Sequence, residues 1–228
     1  MKEKIYIYRA FERFWHWMQS LLIIFLGLTG FEIHGTISFF GYRNAVAYHN
    51  IAAYSFIVLI IFAIFWHFAT GEWKQYLPTA KNLKAQINFY LFGIFKNAPH
   101  PTKRIVLSKL NPLQKLVYLG LKLLVIPVMV FSGLIYMNYR YPQEGGGVEG
   151  LNIGSIEPVA LFHTAGAFLL LAFVIVHLYL ITTGTTITSN LKAMVTGFEE
   201  TENNEETERL KETENYNDNK QLSEVTNG

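Results

Sequence analysis

The chain has 228 residues, of which 51% are hydrophobic, 15% aromatic and only 16% charged, where soluble domains run to about 25% charged. It contains no cysteine, which excludes a disulfide scaffold, a thiolate zinc site, a cysteine-ligated iron–sulfur cluster and thioether-attached haem. The net charge of +2 conceals a split: residues 198–228 hold ten acidic and three basic residues, net −7, and the remaining body is basic at +9.

Crossing the hydrocarbon core of a membrane takes about 20 largely apolar residues. Four stretches qualify, at 14–33, 47–68, 113–137 and 158–182. Each is apolar all round rather than striped, the pattern of a helix in contact with lipid. The first is too long for a secretory signal and lacks its small-residue cleavage site. The expected fold is an all-α integral membrane four-helix bundle over residues 1–197, followed by an acidic, disordered tail over 198–228.

Lys and Arg in short loops set the orientation. With the N-terminus inside, the cytoplasmic side holds Lys2, Lys4, Arg9, Arg13, Lys74, Lys81, Lys84, Lys96, Lys103, Arg104 and Lys109, and the other side only Arg43 and Arg140. Both termini are therefore expected in the cytoplasm. Between the second and third spans, Leu83, Ile87, Tyr90, Leu91 and Ile94 recur at helical spacing within 79–95. That segment reads either as an amphipathic helix on the cytoplasmic leaflet or as a helix packed on a partner protein. The outer loop from Tyr139 to Glu157, with three consecutive glycines, reads as irregular.

Of seven histidines, His34 and His100 fall in loops and read as surface residues; His16, His49, His67, His163 and His177 lie in spans or at their ends. Ionisable side chains inside membrane helices are costly and mark functional sites. His163 and His177 are 14 residues apart on the fourth span, about 21 Å along its axis and within about 40° of one face. A pair of haems stacked through the bilayer needs one ligand at each of those depths. His16 opens the first span on the inner side, level with His177; His49 opens the second on the outer side, level with His163. Topology thus pairs His16 with His177 and His49 with His163, for imidazole ligation of haem iron. His67, 18 residues beyond His49 on the same helix face, competes with His16 as inner ligand; depth and context favour His16.

Arg13 stands three residues before His16, where it serves either as a haem-propionate partner or as a positive-inside anchor. Gly27, Gly30, Gly120, Gly133 and Gly166 either admit a macrocycle to the backbone or let membrane helices pack closely. Lys122 lies two turns into the third span without an evident acidic partner, and Pro127 is expected to kink that helix.

Arg13-x-x-His16-Trp17, Thr29-Gly30, His49, Asn111-Pro-Leu-Gln114-Lys115, His163 and His177-Leu-Tyr179 together resemble the membrane cytochrome b subunits of bacterial respiratory complexes. These are the formate dehydrogenase gamma subunits, the nickel–iron hydrogenase cytochromes b and the thiosulfate reductase cytochromes b. The resemblance covers about residues 6–197. It implies two haems b, an inner one on His16 and His177 and an outer one on His49 and His163. It also implies a quinone substrate, menaquinone or ubiquinone, bound near the inner haem beside Asn111, with Gln114 one turn further on. Asn and Gln can hydrogen-bond a quinone carbonyl, and they also cap helix starts.

The expected function is therefore to carry electrons across the bilayer between a redox partner subunit and the quinone pool. An iron–sulfur protein, a dehydrogenase or reductase, or a multihaem cytochrome would each suit as partner; membrane lipid surrounds the spans, and nothing points to nucleic acid. No catalytic nucleophile or acid–base motif is present, so substrate chemistry is expected of the partner. A haem-free membrane anchor would explain the spans but not histidines paired by depth. A proton-relay transporter would need buried carboxylates, and the spans contain no Asp, with Glu32 at a helix end.

Overall fold

The computed structural model describes residues 2–77, 83–93, 96, 110, 112–140, 156–184 and 186–202. Four helical spans dominate it. They are α1 (Ala10–Ile33), α2 (Tyr42–Thr70), a third span over Leu113–Met137, and α6 (Glu157–Ile181). All four are long and apolar enough to cross a membrane. Large apolar side chains face outward, with Phe65, Leu123 and Leu161 close to 70% exposed. In lipid that surface replaces the polar exterior of a soluble protein.

Two helix starts are set by carboxylates. Glu12 in the first turn of α1 accepts the Arg9 backbone N–H at 2.7 Å, half of the capping arrangement that satisfies orphan donors at a helix N-terminus. Glu32, 4% exposed near the end of α1, accepts the N–H groups of Phe39, Phe40 and Gly41 at 2.9, 2.7 and 2.7 Å. Gly41 is the N-cap of α2, with φ +81°. One carboxylate thus closes the short α1–α2 connection and starts α2 five residues before its apolar stretch.

The third span is built in three pieces. α4 (Pro112–Gly120) runs into a π-helical turn at Leu121–Val125, and then into α5 (Ile126–Arg140). The Ile126 N–H bonds the Leu121 carbonyl, five residues back. Pro127 follows at once and has no N–H to give the Leu123 carbonyl. The helix meets that missing donor with a wider turn.

Phe56, Leu121 and Ile126 form the buried centre of the bundle, packed by Leu22, Leu26, Ile60, Val130 and Phe173. Between the second and third spans a short 3-10 helix covers Glu72–Tyr76, and α3 (Leu83–Asn88) continues into a π turn at Phe89–Gly93. The helical reading of the 79–95 segment thus meets a helix over its described part. The outer loop at 141–155 and His100 lie outside the described residues.

After α6, α7 (Ser189–Thr196) leads into β2 (Phe198–Glu202), which pairs antiparallel with β1 (Lys2–Tyr6). This pairing was not anticipated: the sequence reading ended the ordered body at Gly197, and the strand lies beyond it. A five-residue polar strand gains nothing alone, but here each strand completes the other's hydrogen bonds. The sheet brings the two ends of the helical body to one side of the bundle. The rest of the acidic tail, 203–228, lies outside the described residues.

Candidate functional site

α1 and α6 bring the imidazoles of His16 and His177 together, with ring centres 6.1 Å apart and planes at 51°. α2 and α6 do the same for His49 and His163, at 6.4 Å and 69°. All four side chains are half-buried. Along α6 the two pairs are separated by about 21 Å, with the apolar centre of the bundle between them. A metal–imidazole bond is about 2.0 Å and the ring centre lies roughly 1 Å beyond the nitrogen, so imidazoles on opposite sides of one metal have centres about 6 Å apart.

The outer pair is held through its Nδ1 atoms. Thr29 Oγ1 lies 2.9 Å from His49 Nδ1, and Ser132 Oγ lies 3.0 Å from His163 Nδ1. Each hydroxyl is buried, at 0% and 7% exposure, and each donates its proton to its own helix, Thr29 to the Phe25 carbonyl and Ser132 to the Val128 carbonyl. The residue after each hydroxyl is a glycine. A Cβ on Gly30 would lie 3.7 Å from His49 Cε1, and one on Gly133 only 3.1 Å from His163 Cε1. At Gly30 and Gly133 the neighbour is an imidazole edge. Gly166 is a helix-packing position, where a Cβ would meet Met129 Sδ at 2.5 Å, and Gly27 and Gly120 face open space.

The inner pair is held differently. His16 Nδ1 is buried without a hydrogen-bond partner among the described residues, and His177 Nδ1 has the Tyr118 hydroxyl at 3.5 Å. Phe173, one turn before His177, stacks on its ring at 5.6 Å. Arg13 gives Nη1 to the Val195 carbonyl at 2.7 Å and keeps Nε buried, with no partner among the described residues. Trp17 donates Nε1 to the Met194 carbonyl at 3.3 Å. The residues flanking His16 are therefore tied to α7, which follows the helix that carries His177.

His67 stands apart from both pairs. Its Nδ1 donates to the Ala63 carbonyl at 2.6 Å, which leaves Nε2 to accept the Tyr76 hydroxyl at 3.2 Å. Burial first, then the Glu12 carboxylate, pushes the Tyr76 phenol well above its ordinary pKa, so it stays a donor. Trp15 and Trp66 meet the His67 ring edge-on at 5.6 and 5.3 Å. Lys122 finds aromatic faces where no acidic partner was evident, with Nζ 3.3 Å from the centre of the Tyr76 ring and 5.3 Å from that of Trp15, an arrangement worth about 0.5–2 kcal/mol.

Asn111 lies outside the described residues. Gln114 is half-buried near the start of α4, one helical turn before Tyr118 and so on the same flank. Thr29, Ser132, Tyr118 and Tyr76 were not assigned site roles from sequence. The readable signal for the first two is a hydroxyl–glycine dipeptide inside an apolar span, level with a histidine on another span.

A bare metal ion held by protein side chains takes three or four ligands, and among the described residues no group of three His, Cys, Asp or Glu side chains comes together. Two axial imidazoles, with the remaining coordination supplied by a macrocycle, is a donor set that fits haem. The inner and outer pairs both have that spacing.

Residues 7–197 match the family described as prokaryotic cytochrome b561. The putative cytochrome YdhU of Escherichia coli (strain K12) is 32% identical over 205 residues, covering 86% of this chain and 75% of that protein. A probable Ni/Fe-hydrogenase B-type cytochrome subunit of Cupriavidus necator is 25% identical over 198 residues, covering 76% of this chain and 77% of that protein. With four spans and this match over most of its length, the chain belongs to the prokaryotic cytochrome b561 family, as a multi-pass membrane b-type cytochrome of electron transfer.

Proposed function

We propose that this chain is the membrane subunit of a bacterial respiratory oxidoreductase, carrying electrons through two haems b between a redox partner subunit and the quinone pool. The observation that carries the proposal is the recurrence of one imidazole spacing, 6.1 and 6.4 Å, at two depths of the same bundle. His16 with His177 and His49 with His163 are the axial ligands in this reading.

A haem bound at each pair supplies a one-electron carrier whose potential the protein tunes. With two imidazoles holding each haem, no open position would remain for oxygen or substrate. The apolar layer of Phe56, Leu121 and Ile126 keeps water and ions from the interior between the pairs. Arg13 Nε, buried and without a partner among the described residues, suits a propionate oxygen at the inner site.

The excess of Lys and Arg at the N-terminus and between the second and third spans puts the His16–His177 pair on the cytoplasmic side of the inner membrane. The β1–β2 sheet, which joins both ends of the helical body, supports putting them on one side of the membrane. Quinone meets the chain at this inner end, with Asn111 and Gln114 as hydrogen-bond donors to its carbonyls. The Cupriavidus necator relative is described as a hydrogenase cytochrome subunit. A catalytic partner that passes electrons to the His49–His163 end is proposed here by the same logic.

The test is a reduced-minus-oxidised optical spectrum of the purified chain with haem quantified per polypeptide. Two low-spin haems b per chain are expected. One or none, in folded material, overturns the proposal.

A further inference from the structure

The outer and inner histidine pairs share a spacing but not a setting. A hydroxyl has one proton, and Thr29 and Ser132 give theirs to the Phe25 and Val128 carbonyls. With Nε2 of His49 and His163 turned to a metal, Nδ1 carries the proton, so both imidazoles donate and the hydroxyls accept. Thr29-Gly30 on α1 and Ser132-Gly133 on α5 are thus two copies of one device. In each the hydroxyl accepts from the imidazole Nδ1–H, and at Gly133 the missing side chain also lets the ring edge close on the helix.

The inner pair has no copy of it. Among the described residues His16 Nδ1 has no partner, and Tyr118 approaches His177 Nδ1 only to 3.5 Å, the outer limit of a hydrogen bond. Fixed charge differs in the same sense. Arg13 lies one helical turn from His16. At the outer end the buried group three residues beyond Thr29 is the Glu32 carboxylate.

We propose that Thr29 and Ser132 set the two sites at different potentials, making the His49–His163 haem the lower of the two. This rests on the reading of both pairs as axial ligands. An acceptor on Nδ1–H makes the imidazole a stronger base toward iron and favours the ferric state. A nearby carboxylate adds to that preference, and a nearby cation opposes it. An electron shared between the sites therefore rests at the His16–His177 end, and transfer from the outer end to the inner one runs downhill. Thr29 and Ser132 are positioning residues: they act through the ligands and touch no reacting atom.

The test is a spectroelectrochemical titration of the haem-loaded full chain in lipid nanodiscs, for the unmodified chain, Thr29→Val, Ser132→Ala and Thr29→Ser. The unmodified chain is expected to titrate in two steps. Thr29→Val and Ser132→Ala each move the lower step, and only that step, upward by about tenfold in the electron distribution between the sites, about 59 mV for one electron. Thr29→Ser keeps the hydroxyl and restores the original value. If Thr29→Val loses haem through misfolding, Ser132→Ala decides alone. Two haems per chain with neither step moved by Ser132→Ala overturns this inference and leaves the ligand pairs standing. Movement of the upper step instead assigns the hydroxyl-held site the higher potential and overturns it equally. Fewer than two haems in the unmodified chain removes the reading on which it rests.

Discussion

His49 on α2 and His163 on α6 face one another with ring centres 6.4 Å apart, and each turns its Nδ1 to a buried hydroxyl on a third and fourth helix segment, Thr29 of α1 and Ser132 of α5. All four spans thus meet at one pair of imidazoles. His163→Ala and His177→Ala sit at opposite ends of α6, so each is expected to remove one haem and spare the other. Pyridine haemochrome assay per polypeptide reads this as a fall from two to one in each variant. A count unchanged in both would sink the pairing of ligands by depth.

His16 and His67 compete for the same inner position in the sequence, and the structure gives them different neighbours. His16 faces His177, whereas His67 spends both ring nitrogens on the Ala63 carbonyl and the Tyr76 hydroxyl. His16→Ala is expected to lose the inner haem. His67→Ala is expected to keep both haems and to lower stability by about 1–3 kcal/mol, because it strips the buried Tyr76 hydroxyl of its acceptor. Haem content measured with thermal denaturation separates the two; haem loss in His67→Ala alone would exchange the assignments.

The four spans were legible because hydropathy is summed over many residues and tolerates a few exceptions. Their beginnings were less so. α1 starts at Ala10 and α2 at Tyr42, four and five residues ahead of the apolar stretches. Those extra turns are held by Glu12 and Glu32, polar residues that a hydropathy window counts against a span. The depth pairing of histidines was legible because helix rise and loop topology determine it. The hydroxyls behind His49 and His163 were not, since a Thr or Ser inside a span bonds its own helix by default and carries no mark of a second partner. The β1–β2 pairing joins segments nearly 200 residues apart, and neither strand has an apolar alternation to announce it.

Gly30 and Gly133 occupy equivalent places behind the two outer imidazoles but leave different room. A methyl at Gly133 would approach His163 Cε1 to 3.1 Å, closer than most real contacts, while one at Gly30 would meet His49 Cε1 at an ordinary 3.7 Å. Gly133→Ala is expected to push the His163 ring and broaden or shift the low-spin electron paramagnetic resonance signal of the outer haem. Gly30→Ala should leave that signal where it is. Equal spectra for the two variants would show that the backbone notch at Gly133 does not set the imidazole position.

Gly197 ends α7 with φ +89°, and its carbonyl accepts the N–H groups of Ile7 and Tyr8 at 2.8 and 3.2 Å. A Cβ there would lie 2.8 Å from the Tyr8 carbonyl oxygen, a backbone atom that cannot swing aside. Gly197→Ala therefore combines a left-handed backbone cost of about 1–2 kcal/mol with a clash that loosens the junction of β1 and α7. The consequence reaches the inner site by a short route. The Met194 and Val195 carbonyls just before Gly197 hold Trp17 and Arg13, which flank His16. Gly197→Ala is expected to lower the thermal midpoint and to make the inner haem signal heterogeneous, with the outer haem signal unchanged. Trp17→Phe removes one of the two ties without touching the backbone, and should broaden the inner signal while leaving the midpoint nearly in place. An inner signal as sharp as the parent's in both variants would mean that His16 is held by the spans alone, without help from α7.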